Sequence, residues 1–149
     1  MSYKLPRNSD GWVEPHDHPH VEDDHGVIRK VSSFYVVDDP KVEGGKRIST
    51  GLMSGSTSGS KGMSVDLQNM IEVAGVDPYI FVTTPKWIGS VRLVAKDVRN
   101  LDFMVGQDPI DGNDYHGEVW GTFSRARQKS LLRHSEWFVE IDGVKLCAD

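Results

Sequence analysis

The stretch Gly26–Asp39, GVIRKVSSFYVVDD, decides how the rest of the chain is read. It follows a polar segment and is rich in Val, Ile, Phe and Tyr, side chains that suit a pleated, half-buried surface. It reads as one or two strands, which places the start of the folded domain near Gly26. Downstream, DDPKVEGGK supplies Pro40, Gly44 and Gly45 for a turn, and RISTGLM carries a third extended segment. Ser54–Gly62, SGSTSGSKG, is Gly, Ser or Thr at every position except Lys61 and reads as a flexible loop.

The period then changes. In MSVDLQNMIEVAG, Leu67, Met70, Ile71 and Ala74 recur at helical spacing, with Asp66 where an N-cap belongs and Gly75 where a C-cap belongs. YIFVTT and GSVRLVA read as strands separated by Pro85, KDVRNL as a turn of helix, DFMVG as a strand, QDPIDGND as a loop and YHGEVWG as a further strand. Ser124–Ser135, SRARQKSLLRHS, is a second helix with Ser124 as cap and Leu131 and Leu132 facing inward. In the closing WFVEIDGVKLC, Trp137, Val139 and Ile141 alternate with polar neighbours, and Asp142-Gly143 is a hairpin signal. The sum is an α+β domain, a mostly antiparallel sheet of about six to eight short strands with two helices.

A chain of 149 residues, 38% hydrophobic and 26% charged, fits one core, so the expected organisation is a single domain over 26–149 preceded by a polar, flexible arm over 1–25. No apolar run approaches the roughly 18 residues that span a bilayer, and MSYKLPRNSD lacks the apolar centre of a secretory signal. The expectation is a soluble, cytoplasmic protein. The single cysteine, Cys147, excludes an internal disulfide and a cysteine-based zinc ribbon. A net charge of -5 argues against nucleic acid as partner, because phosphate neutralisation needs a basic surface.

Four constellations carry candidate chemistry. The arm holds EPHDHPHVEDDH, Glu14–His25, with four histidines and five carboxylates and no Lys or Arg. In extended chain His16, His18 and His20 project to one side and can offer imidazoles to zinc, copper or nickel, with Asp17 or Glu22 in support. Pro15 and Pro19 prevent a helix from organising them, and a solvated lead-in is the competing reading. In YHGEVWG taken as a strand, His116, Glu118 and Trp120 share one face, so that His116 and Glu118 can act as base and orienting acid or as joint metal ligands. In GMSVD, Ser64 and Asp66 share a side next to a loop whose backbone N–H groups can hold an anion, or Asp66 simply caps its helix. The basic run SRARQKSLLRH, with Arg125, Arg127, Lys129, Arg133 and His134, is either an anion-facing surface or a solvated helix face.

The succession IRKVSSFYVVDD, KRISTGLM, GMSVDL, VRLVAKDVRNLDFMVGQDPIDGNDYHGEVWG and the closing EW resembles a family of small bacterial proteins of unassigned activity. Its pattern is an early Arg-rich strand, an Arg-x-Ser-Ser-like segment, Ser-Val-Asp, Asp-Pro, a short Asn-containing loop and a His followed by a hydrophobic strand. The resemblance covers about Val27 to Trp137 and implies site positions Arg29, Arg47, Ser49, Ser64, Asp66, Asp108, Pro109, Asn113 and His116. The chain departs from that pattern with Thr50 in place of a second Ser, Leu52-Met53 near a usual aromatic, and a longer Ser/Gly loop.

Two functions follow. One is a site for an anionic small molecule or nucleotide with His116, Asp66 and Ser64 as catalytic residues and Arg29, Arg47, Ser49 and Asn113 as binding residues; the cofactor stays unknown. A narrower version is NAD-dependent ADP-ribosyl transfer, from the order Arg29, Ser49-Thr50, Glu118. The alternative is a non-catalytic subunit that docks a protein partner within a bacterial, defence-related complex, anchored by Trp87 and Trp120. A convergent cleft at Ser64, Asp66 and His116 favours the first and a flat face with protruding Trp the second.

Overall fold

The computed structural model of the chain describes residues 3–146, so Cys147 lies outside the described residues. Among the described residues are eight strands, β1 Gly26–Val31, β2 Val36–Asp38, β3 Lys46–Ile48, β4 Met63–Leu67, β5 Gly89–Val94, β6 Met104–Gln107, β7 His116–Trp120 and β8 Glu136–Val139, and four α-helices, α1 Gln68–Val73, α2 Pro78–Phe81, α3 Ala95–Asn100 and α4 Arg125–His134. Six strands form one sheet in the order β6-β7-β4-β1-β5-β8, every neighbour antiparallel, and β2 and β3 form a separate pair. The fold is therefore α+β with an antiparallel sheet. No helix among the described residues is long and apolar enough to cross a membrane.

Strict alternation builds the core face. Met63, Val65 and Leu67 of β4, Val27 and Val31 of β1, Val91 and Leu93 of β5, Val105 of β6 and Val119 of β7 all enter one buried cluster, closed by Ala95 and Val98 of α3 and Leu131 and Leu132 of α4. Residues of the other parity, Ser64, Asp66, His116, Glu118 and Trp120, therefore face the opposite side of the sheet. There α1 packs against β1 and α2, and Ile28, Ile71 and Val82 are fully buried.

Four local expectations change. Asp66 does not cap α1: β4 runs on to Leu67, which itself occupies the N-cap, because Leu67 satisfies both the strand alternation and the helical period. YIFVTT is not a strand, since the Asp77 carboxylate accepts from the Tyr79 N–H and Pro78 takes the first helical position, starting α2. With α3 formed from KDVRNL, four helices stand where two were expected. Asp142-Gly143 makes a turn, with Gly143 at φ +76°, but no hairpin: Lys145 instead bridges Arg47 in parallel. The basic stretch meets its expectation, with the Ser124 hydroxyl accepting from the Arg127 N–H at the start of α4.

The histidine segment differs most from its reading as a solvated lead-in. Val13 and Val21 are buried, and residues 17–18 dock on the outer edge of β6: the His18 N–H donates to the Val105 carbonyl (2.9 Å) and the Val105 N–H donates to the Asp17 carboxylate (3.1 Å). Arg99 of α3 clamps the segment by donating to Asp17 (2.9 Å), Asp23 (2.8 Å) and the Val21 carbonyl (2.5 Å). His16 lies directly on Gly106, where an added Cβ would stand 2.6 Å from Nε2, so only glycine admits this approach. The physical reason is that the two buried valines and one arginine fork outweigh a polar average.

Candidate functional site

Register brings the sequence candidates together. β4 and β7 are neighbours, with Asp66 opposite His116 and Ser64 opposite Glu118, on the face away from the core. A pocket of about 210 Å³ opens there, lined by Arg29, Lys30, Ser64, Val65, Asp66, Trp87, Ile110, Asn113 and His116. Ser64, Asp66, His116, Asn113 and Arg29 thus share one site. Arg47 and Ser49 do not reach it: Arg47 pairs with Asp39 (2.8 Å), and the Ser49 hydroxyl accepts from the Gly51 N–H to cap a short 3-10 turn.

Specific partners hold the polar groups of the pocket. Asp66 is fully buried; its Oδ1 accepts from the Asn113 amide (2.7 Å), while Oδ2 has no hydrogen-bond donor and lies 3.5 Å from the Lys30 ammonium. Asn113 is fixed in turn, its Oδ1 accepting from the Tyr115 N–H (2.9 Å). The Lys30 ammonium also sits 5.2 Å from the centre of the Trp87 ring, so an aromatic face and a carboxylate aim it into the pocket. Arg29 donates to the carbonyls of Leu52 (3.1 Å) and Ser64 (3.0 Å), and burial lowers its pKa against the opposing pull of Tyr35 and Glu118.

Behind the pocket, His116 Nδ1 meets the Asp108 carbonyl oxygen at 2.7 Å. A carbonyl only accepts, so Nδ1 carries the proton and Nε2 is the free basic nitrogen. Nε2 lies 3.9 Å from Glu118 Oε2, and the Asp108 carboxylate lies 3.6 Å from Nδ1. Burial pushes the Glu118 carboxyl above its ordinary range, opposed by His116, assisted by Asp108, and partly offset by the Ser64 side chain and the Gly62 backbone. Among the described residues, Asp108, His116 and Glu118 are the group of three whose ligand-type atoms lie within 4.8 Å of one another, all three buried.

His16, His18 and His20 form no such cluster. Their rings follow one another at steep angles, His16 and His18 tilted with centres 5.6 Å apart and His18 and His20 edge to face at 5.1 Å, and two of the nitrogens serve the local backbone: His16 Nδ1 donates to the Glu14 carbonyl and His18 Nδ1 accepts from the His20 N–H. A larger open depression of about 590 Å³ beside His18 is lined by Asp17, Asp23 and Arg99, and both of these carboxylates are paired with the Arg99 guanidinium. Nor is Trp120 an exposed anchor, being 3% exposed with its indole N–H donating to the Ser60 carbonyl (2.7 Å). Sequence reasoning overlooked Lys30 as a site residue; its signal was the two-residue spacing from Ile28, which puts it on the pocket face. Comparison of the chain with protein-family models, with curated proteins and with solved structures finds no match.

Proposed function

We propose that the pocket between β1, β4 and β7 binds a compact anionic small molecule, with His116 as the acid or base beside it. The observation that carries this reading is the Lys30 ammonium held between the Asp66 carboxylate and the Trp87 ring at a pocket that Arg29 also lines. The Lys30 ammonium favours an anionic group, and Trp87 offers a flat apolar side to whatever the anion is attached to. Asp66 and Asn113 hold the cavity shape, and Ser64 at its mouth supplies a hydroxyl.

Volume limits the ligand. Sites for drug-sized molecules run to about 300–1,000 Å³, so a pocket of about 210 Å³ suits a carboxylate or phosphate head rather than a dinucleotide. Transfer of ADP-ribose from NAD gains no support, because the Ser49 hydroxyl of its required motif is occupied by the Gly51 N–H and lines no part of the pocket. The docking alternative loses its proposed anchors, with Trp120 buried and Trp87 part of the pocket wall.

The test is calorimetric titration with inorganic phosphate and a panel of small mono- and dicarboxylates on the native chain, Lys30→Met and Asp66→Asn. A ligand that binds the folded state also raises its melting temperature. Binding to the native chain that drops at least about tenfold in Lys30→Met supports the reading. Equal binding to both, or none to the native chain, removes it.

A further inference from the structure

Glu118 Oε2 presents an unusual electrostatic situation. It is buried, in a residue 4% exposed, and has no hydrogen-bond donor. What faces it at 3.9 Å is Nε2 of His116, whose other nitrogen is committed as donor to the Asp108 carbonyl. Two acceptors thus look at each other across a buried gap, and the Asp108 carboxylate, 3.6 Å from Nδ1 on the other side of the ring, still lies within 4.8 Å of the group. A proton placed on Glu118 does not resolve this, since 3.9 Å is beyond hydrogen-bond reach. A cation does.

We infer that Asp108, His116 and Glu118 hold a divalent first-row metal ion, zinc or manganese. Metal bonds of about 2.1 Å to nitrogen and oxygen span ligand separations up to roughly 4.2 Å, which covers the gap between Nε2 and Oε2, while the Asp108 carboxylate, within 4.8 Å of the group, closes in by a side-chain rotation. The donor set of one imidazole and two carboxylates suits zinc and manganese over the thiolate-seeking ions. The supporting bonds are those that metal-ligating groups use: Nδ1–H donates to a backbone carbonyl and fixes the tautomer, while the Ser64 side chain and Gly62 backbone orient the Glu118 carboxylate. Three protein ligands leave a coordination position open, and one of them, His116, also lines the anion pocket. The ion would act there as a Lewis acid toward a bound oxygen. The inference goes beyond the anion reading and does not rest on it; in the metal-loaded protein His116 Nε2 is a ligand instead of the acid or base.

Titration calorimetry with zinc chloride and manganese chloride, and magnesium chloride as control, on tag-free chelator-treated full chain tests it. One equivalent of zinc or manganese binds the native chain and raises its melting temperature, Glu118→Gln and Asp108→Asn each lose at least about tenfold in affinity, and Lys30→Met and His20→Ala keep it. Glutamine matches the shape of the glutamate side chain, and circular dichroism in chelator confirms that the variant folds. Should Glu118→Gln not fold, the affinity of Asp108→Asn decides in its place. Native-like affinity in the folded variants, loss of binding in His20→Ala alone, or no binding by the native chain overturns the inference. Loss of metal binding in Glu118→Gln with phosphate binding intact separates it from the anion pocket, which fails only in Lys30→Met.

Discussion

The chain contains two concentrations of histidine and carboxylate, and they behave in opposite ways. Glu14–His25 is dense in sequence, yet most of its docked groups are tied down: Asp17 to Arg99 and the Val105 N–H, Asp23 to Arg99, His16 Nδ1 to the Glu14 carbonyl and His18 to the His20 amide, with only His16 Nε2 buried among them without a partner. Asp66, Asp108, His116 and Glu118 are spread over 53 positions, but the β4–β7 register gathers them, and two of their carboxylate oxygens stay without a donor. The first region uses polar groups to fasten a segment; the second leaves them available. Local density of metal-type residues is therefore a poor guide to convergence, which needs rigid backbone on both sides.

The sharpest way to break the comparison is at the second region. Asp66→Ala removes the acceptor for Asn113 and the counter-charge for Lys30 inside a buried wall, and about 3 kcal/mol of stability should be lost. Urea unfolding measures it; a loss under about 1 kcal/mol would mean that the wall relaxes and that Asp66 is held less firmly than the geometry implies. Next is Gly106→Ala, whose Cβ meets both Nε2 and the carbonyl oxygen of His16 and must lift the segment, at about 2 kcal/mol. Proteolytic cleavage within residues 3–25 should accelerate while the core stays protected.

Arg99→Ala removes three donors from the same segment. Because Asp17 and Asp23 are about half exposed or more, the expected loss is smaller, about 1 kcal/mol, with amide exchange faster at His18 than at β7. Acidification gives the mildest effect. Burial first, then neighbouring His16 and His20, lower the His18 pKa to about 4, against an ordinary value near 6.5. The docked segment thus holds His18 neutral, and its docking is full above pH 6.5 and weakens as pH falls from there toward 4. Trp120, packed 5.2 Å from His16, reports this by fluorescence, and the groups facing His18 there are His16, His20 and the Tyr3 ring. A pH-independent signal between 7 and 4 would show that His18 is not titrating in the interface.

Much of the fold was legible because its signals are local. Ser124 with the following basic run specifies α4, and the alternation in GSVRLVA and HGEVW specifies strands with one apolar face. What failed did so where two local codes overlap, as at Leu67, or where a cap overrides composition, as Asp77-Pro78 turns YIF into helix. Ser64, Asp66 and His116 could be nominated from residue type, but their meeting depends on which strands become neighbours, a non-local fact. Lys30 went unnoticed for the same reason, and Arg47 and Ser49 were nominated by motif alone although neighbouring residues hold them elsewhere. The docking of residues 13–21 escaped notice because two valines and a distant arginine leave almost no trace in average polarity.

The seat of residues 17–18 on β6 has a further consequence. β6 is the outermost strand of the six, and the bonds from His18 and Asp17 to Val105 close a row of backbone groups that would otherwise be open to pairing. Exposed strand edges recruit other strands, from a second copy as readily as from elsewhere. A chain whose N-terminal segment has been released, by acid or by loss of Arg99, thus becomes sticky along one side while its core remains folded. Its colloidal behaviour in concentrated solution is governed by a handful of contacts upstream of the first strand, and turbidity rather than unfolding should be the first sign that they have been lost.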